Sequence, residues 1–123
     1  MAKVLLDTSF ILSCVRNKLD FHEELLDKGH TILIPKEVKL EIKRIKDSTK
    51  SLKVRDDAVL AMKLINSEPH KEVDCPGKYV DVGIKNYLLK NPEYVLATVD
   101  KALKKSIRNR KIVIRNLKKL ELQ

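Results

Sequence analysis

Glycine and proline are scarce in this 123-residue chain, three and four respectively, so no flexible linker divides it and one domain over residues 1–123 is expected. Tryptophan is absent and aromatics make up 4%, which argues against a stacking platform of the single-strand-binding type. The two cysteines, Cys14 and Cys75, stand far apart, and His22, His30 and His70 are scattered. Neither a disulfide framework nor a zinc-ligand spacing results, and both thiols are expected reduced in the core. No Gly-rich phosphate loop and no G-x-S-x-G elbow is present. The longest uncharged run, Thr8 to Val15, is far short of the roughly 18–20 apolar residues of a membrane-spanning helix. An acid, Asp7, falls where a signal peptide needs its apolar segment, so a cytoplasmic protein is expected.

What the chain has in excess is positive charge: 26 Lys and Arg against 17 Asp and Glu, a formal net charge of +9. The excess is concentrated. Residues 36–55 carry eight basic and three acidic residues, and residues 101–123 carry nine basic and a single acid, Glu121. Ordinary solvated helix faces mix both signs, so a polyanionic partner is indicated; a general lysine-rich bias for solubility is the alternative. With 43% apolar residues, the chain has enough to build a core without staples.

Val4 to Leu6 and Thr31 to Ile34 read as short buried strands. Between them Phe10, Ile11, Cys14 and Val15 recur at helical spacing, then Phe21, Leu25 and Leu26, before Gly29 stops the segment. After Pro35 a helix turns Val38, Ile42 and Ile45 inward, and Val54, Ala58, Ala61, Met62 and Ile65 mark the next. Val73 to Cys75 is a candidate third strand, followed by a helix from Tyr79 to Leu89, a strand from Tyr94 to Val99, a helix through Leu103 and Ile107, and a last strand at Ile112 to Ile114. Alternating strands and helices predict an α/β fold, a three-layer sandwich around a mostly parallel sheet. Such sheets bind ligands at the carboxyl ends of strands, where the strand order reverses.

Four acids occupy places where a carboxylate is costly. Asp7 and Asp100 each close an apolar strand and open a helix, where either could serve simply as an N-cap. Glu41 shares a helical stripe with Val38, Ile42 and Ile45, and Asp81 shares one with Ile84 and Leu88. Burying an unpaired charge costs several kcal/mol, on the order of 3–5, unless a cation compensates. Such acids are therefore either salt-bridged to the abundant Lys and Arg or gathered around a metal, and four together favour a shared site. Carboxylates without His or Cys suit Mg²⁺ or Mn²⁺.

The segments VLLDTS, VKLEI, VDVGI and VLATVD, in this order and covering nearly the whole chain, resemble the PIN domain family of nucleases. The resemblance implies strand order 3-2-1-4-5 and an acidic pocket that binds Mg²⁺ or Mn²⁺ for cleavage of single-stranded RNA. Asp7, Glu41, Asp81 and Asp100 would be the catalytic and metal-holding acids, with Ser9 and Thr98 as hydroxyls that orient them. Relatives in ribosomal RNA processing often carry paired acids where this chain has Val80-Asp81, which puts a second metal in question. Lys104, Lys105, Arg108 and Arg110, and then Lys36, Lys39 and Arg44, are the candidate contacts to the RNA backbone.

The expected function is a metal-dependent endoribonuclease that processes RNA, with ribosomal RNA precursors as the leading substrate. The alternatives are the toxin ribonuclease of a toxin-antitoxin pair, which needs a protein antitoxin, and an inert RNA-binding scaffold whose acids are all ion-paired. A receiver-like phosphoryl protein also places Asp at strand ends but leaves the inward Glu41 and the basic excess unexplained. The apolar residues between Leu52 and Ile65 are a candidate homodimer surface, unless they face the core.

Overall fold

The computed structural model describes residues 1–123. Strands β1 (Lys3–Leu6), β2 (Thr31–Pro35), β3 (Lys71–Val73), β4 (Val95–Ala97), β5 (Lys111–Arg115) and β6 (Lys119–Leu122) form one sheet in the order β3-β2-β1-β4-β5-β6. Helices α1 (Thr8–Arg16), α2 (Phe21–Asp27), α3 (Lys36–Ser48), α4 (Leu52–Ser67), α5 (Val80–Lys90) and α6 (Lys101–Ser106) connect the strands. The first five strands pair in parallel. The mostly parallel α/β architecture and the 3-2-1-4-5 order are as expected, with one strand added at the edge.

β1 is central because it is apolar on both faces: Val4, Leu5 and Leu6 are fully buried, as a strand covered by helices on each side requires. Its neighbours contribute Ile32, Leu33 and Ile34 from β2 and Val95, Leu96 and Ala97 from β4, and α1 adds Phe10, Ile11 and Cys14. Side-chain caps start four of the helices. Asp7 accepts from the Phe10 amide, Asp20 from Glu23, Ser51 from Val54 and Asp100 from Leu103, each satisfying a backbone donor left over at a helix start. Gly29, just past the C-cap of α2, has a φ of +80° that suits glycine.

Three details differ from the sequence expectations. β3 lies at Lys71–Val73 rather than 73–75, because it pairs with β2 from Leu33 to Pro35. Cys75 instead sits in the following loop, with its amide donating to Glu37 Oε1 at 2.8 Å. Leu26, expected inward, is 42% exposed, while its neighbour Leu25 fills the core. The third is β6, antiparallel to β5 through a turn in which Asn116 and Leu117 both have positive φ and the Lys118 amide donates to the Arg115 carbonyl. That is the hairpin geometry that most often uses Asn-Gly. At the outer edge of β6 the Leu120 amide donates to Glu24 Oε1 and its carbonyl accepts from Lys28 Nζ, both at 3.3 Å, so side chains at α2 occupy the outward backbone groups of Leu120.

No helix is long and apolar enough to cross a membrane.

Candidate active site

β1 leads to β2 on one side and is hydrogen-bonded to β4 on the other, so the strand order reverses between β1 and β4. Asp7 follows β1 and Asp100 lies just beyond β4, at the carboxyl ends of these neighbours, where an open α/β sheet places its ligand crevice. The crevice is lined by Asp7, Thr8, Ser9, Glu41, Asp81 and Asp100, together with Ile45 and Val80. Glu41 comes from the second turn of α3 and Asp81 from the first turn of α5. All four sequence-predicted acids therefore border one cleft.

Their surroundings differ. Asp7 is buried, 3% exposed. Its Oδ1 accepts from the Phe10 amide at 2.8 Å and from Ser9 Oγ at 2.9 Å, and its Oδ2 accepts from Thr98 Oγ1 at 2.5 Å. Burial pushes its carboxyl up from 3.8 to about 6, against the opposing pull of the Thr98, Phe10 and Ser9 hydrogen bonds. Asp100 is half-buried and uses Oδ1 to cap α6 at the Leu103 amide, 3.1 Å away. The N-cap reading of both strand-end acids is thus correct as far as it goes, and it coexists with their place in the cleft. Glu41 is half-buried, as its apolar stripe suggests. Asp81 is exposed, a departure from the expected inward stripe: Ile84 and Leu88 are buried, but the first turn of α5 lines the open cleft with Val80 and Asp81, and Val82 beside them is 44% exposed. Partial desolvation, then the charges of Asp100 and Glu41, raise the Asp81 pKa.

Two hydroxyls tie the strand ends together. Thr98 Oγ1 accepts from the Asp100 amide at 3.0 Å while donating to Asp7, and Ser9 Oγ accepts from the Val99 amide at 3.4 Å. Thr8 also lines the cleft, and its buried hydroxyl lacks a hydrogen-bond partner.

None of the ion pairs in the molecule includes any of the four acids. A buried carboxylate without a cation, three further acids around it and an orphaned hydroxyl make an all-oxygen set suited to a hard divalent cation. No three of these acids stand close enough together to enclose an ion by themselves.

The basic residues divide by position. Arg44 lies on the α3 flank of the cleft, in a hollow shared with Glu41 and Asp81. Lys104 and Lys101 line a different hollow, with Thr98 and Val99, that none of the four acids borders. Lys36 is 3.9 Å from Asp74, and Lys39 is paired to Glu72 at 2.9 Å. Lys105 is exposed on α6, Arg108 lies in a separate hollow with Lys85 and Leu89, and Arg110 precedes β5 at the other end of the sheet. The structure does not bring Arg108 and Arg110 to the cleft. Lys78, absent from the sequence-based candidates, borders the hollow that adjoins the cleft, and Lys101 directly follows Asp100 in the chain.

No family model matches the chain. Ribonuclease VapC4 of Methanocaldococcus jannaschii is 30% identical over 128 residues, covering 99% of this chain and 97% of that protein. The PIN domain endonuclease Utp24 has a similar structure, with a TM-score of 0.79 and 25% identity, over 98% of this chain and 90% of that one. VapBC2 from Rickettsia felis, solved bound to a DNA fragment from its promoter, matches at a TM-score of 0.63 and 16% identity over 89% of this chain and 98% of that one, a likeness of fold. With a full-length relative at this identity and the acids gathered at the sheet's switch point, the chain belongs to the PIN domain family of nucleases.

Proposed function

We propose that this protein is a metal-dependent endoribonuclease that hydrolyses single-stranded RNA, acting in the processing of RNA precursors such as those of ribosomal RNA. The observation that carries the reading is the cleft of four acids with no cation partner, in a chain whose net charge is +9. A scaffold with inert acids would neutralise them with the abundant Lys and Arg, and the ion pairs lie elsewhere. The 30% identity to a ribonuclease supports RNA as the substrate.

Asp7, Asp100, Glu41 and Asp81 would hold Mg²⁺ or Mn²⁺, directly or through water. Held there, such an ion would supply Lewis acidity toward the scissile phosphate and a bound water. The chain's own residues do the rest. Thr98 and Ser9 fix the Asp7 carboxylate by hydrogen bonds to both of its oxygens, so its orientation is set before substrate arrives. Asp81 and Asp100 repel one another, and the same negative charge would oppose a phosphate whose charge is not offset. Arg44, in the hollow that shares Glu41 and Asp81, and Lys101 with Lys104, which follow Asp100 on α6, attract the RNA backbone.

The same site suits the toxin of a toxin-antitoxin pair, a reading supported by the name of the Methanocaldococcus jannaschii relative; a neighbouring gene for a small antitoxin that inhibits this chain would establish it. The first experiment is cleavage of a labelled single-stranded RNA pool with Mg²⁺ or Mn²⁺, with and without chelator, by wild type and by Asp7→Asn. Metal-dependent cleavage lost in the variant is expected. Absence of cleavage by wild type, with RNA bound and no metal taken up, would favour the scaffold.

A further inference from the structure

Continuous with the acidic cleft is a second hollow of about 270 Å³ between α3 and the start of α5. It shares Glu41 and Asp81 with the cleft, and its outer walls are Leu40, Arg44, Lys78 and Tyr79. Tyr79 is 65% exposed, in a chain with few aromatics. Lys78 Nζ stands 5.7 Å from the centre of its ring. The loop that carries these two residues is fixed at its root. The Cys75 amide donates to Glu37 Oε1 at 2.8 Å, and Gly83 of α5 packs so tightly on the loop that a Cβ there would lie 2.0 Å from the Cys75 carbonyl oxygen.

We propose that this hollow is a nucleobase subsite: an unpaired base next to the phosphate held in the acidic cleft stacks on Tyr79, while Arg44 and Lys78 contact the flanking phosphate. The inference rests on the ribonuclease reading and names how that site takes its substrate. An exposed tyrosine on an anchored loop offers a flat face at little entropic cost, and any base can stack on it. Among the residues of the hollow, Arg44 and Lys78 supply the positive charge, and neither is in an ion pair. Glu37, the remaining acid there, is occupied by the Cys75 amide. The volume is below the roughly 300 Å³ at which drug-sized ligands begin to fit, which suits one base. Bases inside a duplex are not free to enter such a hollow, so the subsite selects single-stranded segments close to the scissile bond.

The test separates binding from cleavage. In chelator, where hydrolysis is silent, a fluorescein-labelled single-stranded RNA dodecamer is titrated with wild type, Tyr79→Ala and Tyr79→Phe by fluorescence anisotropy. Tyr79→Ala is expected to weaken binding about tenfold, and Tyr79→Phe to restore it. With Mg²⁺ or Mn²⁺ added, the ends produced from a randomised RNA pool are sequenced; a base preference beside the cut in wild type should flatten in Tyr79→Ala and return in Tyr79→Phe. Equal affinity of wild type and Tyr79→Ala, or a Tyr79→Phe as weak as the alanine variant, would overturn the subsite. If wild type binds RNA but cleaves none, the ribonuclease reading fails, and the anisotropy comparison still decides whether Tyr79 stacks on a base.

Discussion

The Thr98 hydroxyl joins the two strand-end acids: it donates to Asp7 Oδ2 at 2.5 Å and accepts from the backbone amide of Asp100 at 3.0 Å. One hydroxyl therefore sets the orientation of a carboxylate on β1 relative to a residue beyond β4. Thr98→Val keeps the shape and removes the bond. Loss of a group that positions a metal-holding carboxylate typically costs about 10- to 100-fold in metal affinity or activity. The variant is expected to need correspondingly more Mn²⁺ for half-maximal cleavage, measured by metal titration, while folding to the same circular dichroism spectrum.

Asp7→Asn keeps an acceptor for the Phe10 amide and removes the charge. Without metal, the charged form of Asp7 is disfavoured in the fold, since its pKa rises from 3.8 to about 6. A raised folded-state pKa in an acid means that the native state binds the proton more tightly, so this group's contribution to stability is gained as pH falls through about 6 and lost as pH rises through it. In chelator, Asp7→Asn should therefore gain on the order of 2 kcal/mol relative to wild type between pH 4.5 and pH 8. Urea denaturation at the two pH values measures this; a difference that does not change with pH would show that Asp7 ionises normally.

Divalent metal should act in the same direction as that substitution. At pH 8, Mn²⁺ at about 100 times its dissociation constant would stabilise wild type by about 2.7 kcal/mol, seen as a rise in Tm. Asp7→Asn should show little of the rise. An equal rise in both proteins would place the ion away from Asp7.

Gly83→Ala tests the anchoring of the 75–79 loop. A Cβ at 2.0 Å from the Cys75 carbonyl meets backbone, which has little freedom to give way. The expected cost is about 1–3 kcal/mol, read by urea denaturation, together with weaker RNA binding.

Position relative to the cleft predicts which cations matter. Lys104→Ala and Arg44→Ala should each reduce the slope of log affinity against log salt by about 0.7 for a single-stranded RNA. Arg110→Ala, at the far end of the sheet, should leave the slope unchanged.

Much of the fold was legible because its signals are local. Apolar triplets ended by acids marked β1 and the neighbourhood of β4, and helical stripes marked α1, α3 and α4. The 3-2-1-4-5 order came with the family resemblance rather than from periodicity. β6 was not legible: its turn is Asn116-Leu117, and a leucine at positive φ carries none of the signal of the usual glycine. β3 was misplaced because its residues, Lys71 and Glu72, are exposed and show no alternation. Of the site, the four acids stood out as charges amid apolar residues. Asp81 was assigned to the wrong environment because a stripe says which face a residue shares, not whether that turn of the helix is covered. The Tyr79 hollow was invisible, since it exists only where α3 and α5 approach one another.

The side chains at α2 that reach Leu120 of β6 bear on how copies of this chain can associate. A sheet extends from molecule to molecule only through a row of open backbone donors and acceptors. Here Glu24 and Lys28 occupy those of Leu120 at one rim, and the opposite rim, β3, is three residues long and begins Lys-Glu. A continuous intermolecular sheet is thereby disfavoured at both ends, which leaves helical surfaces as the ground on which a second copy would meet the first.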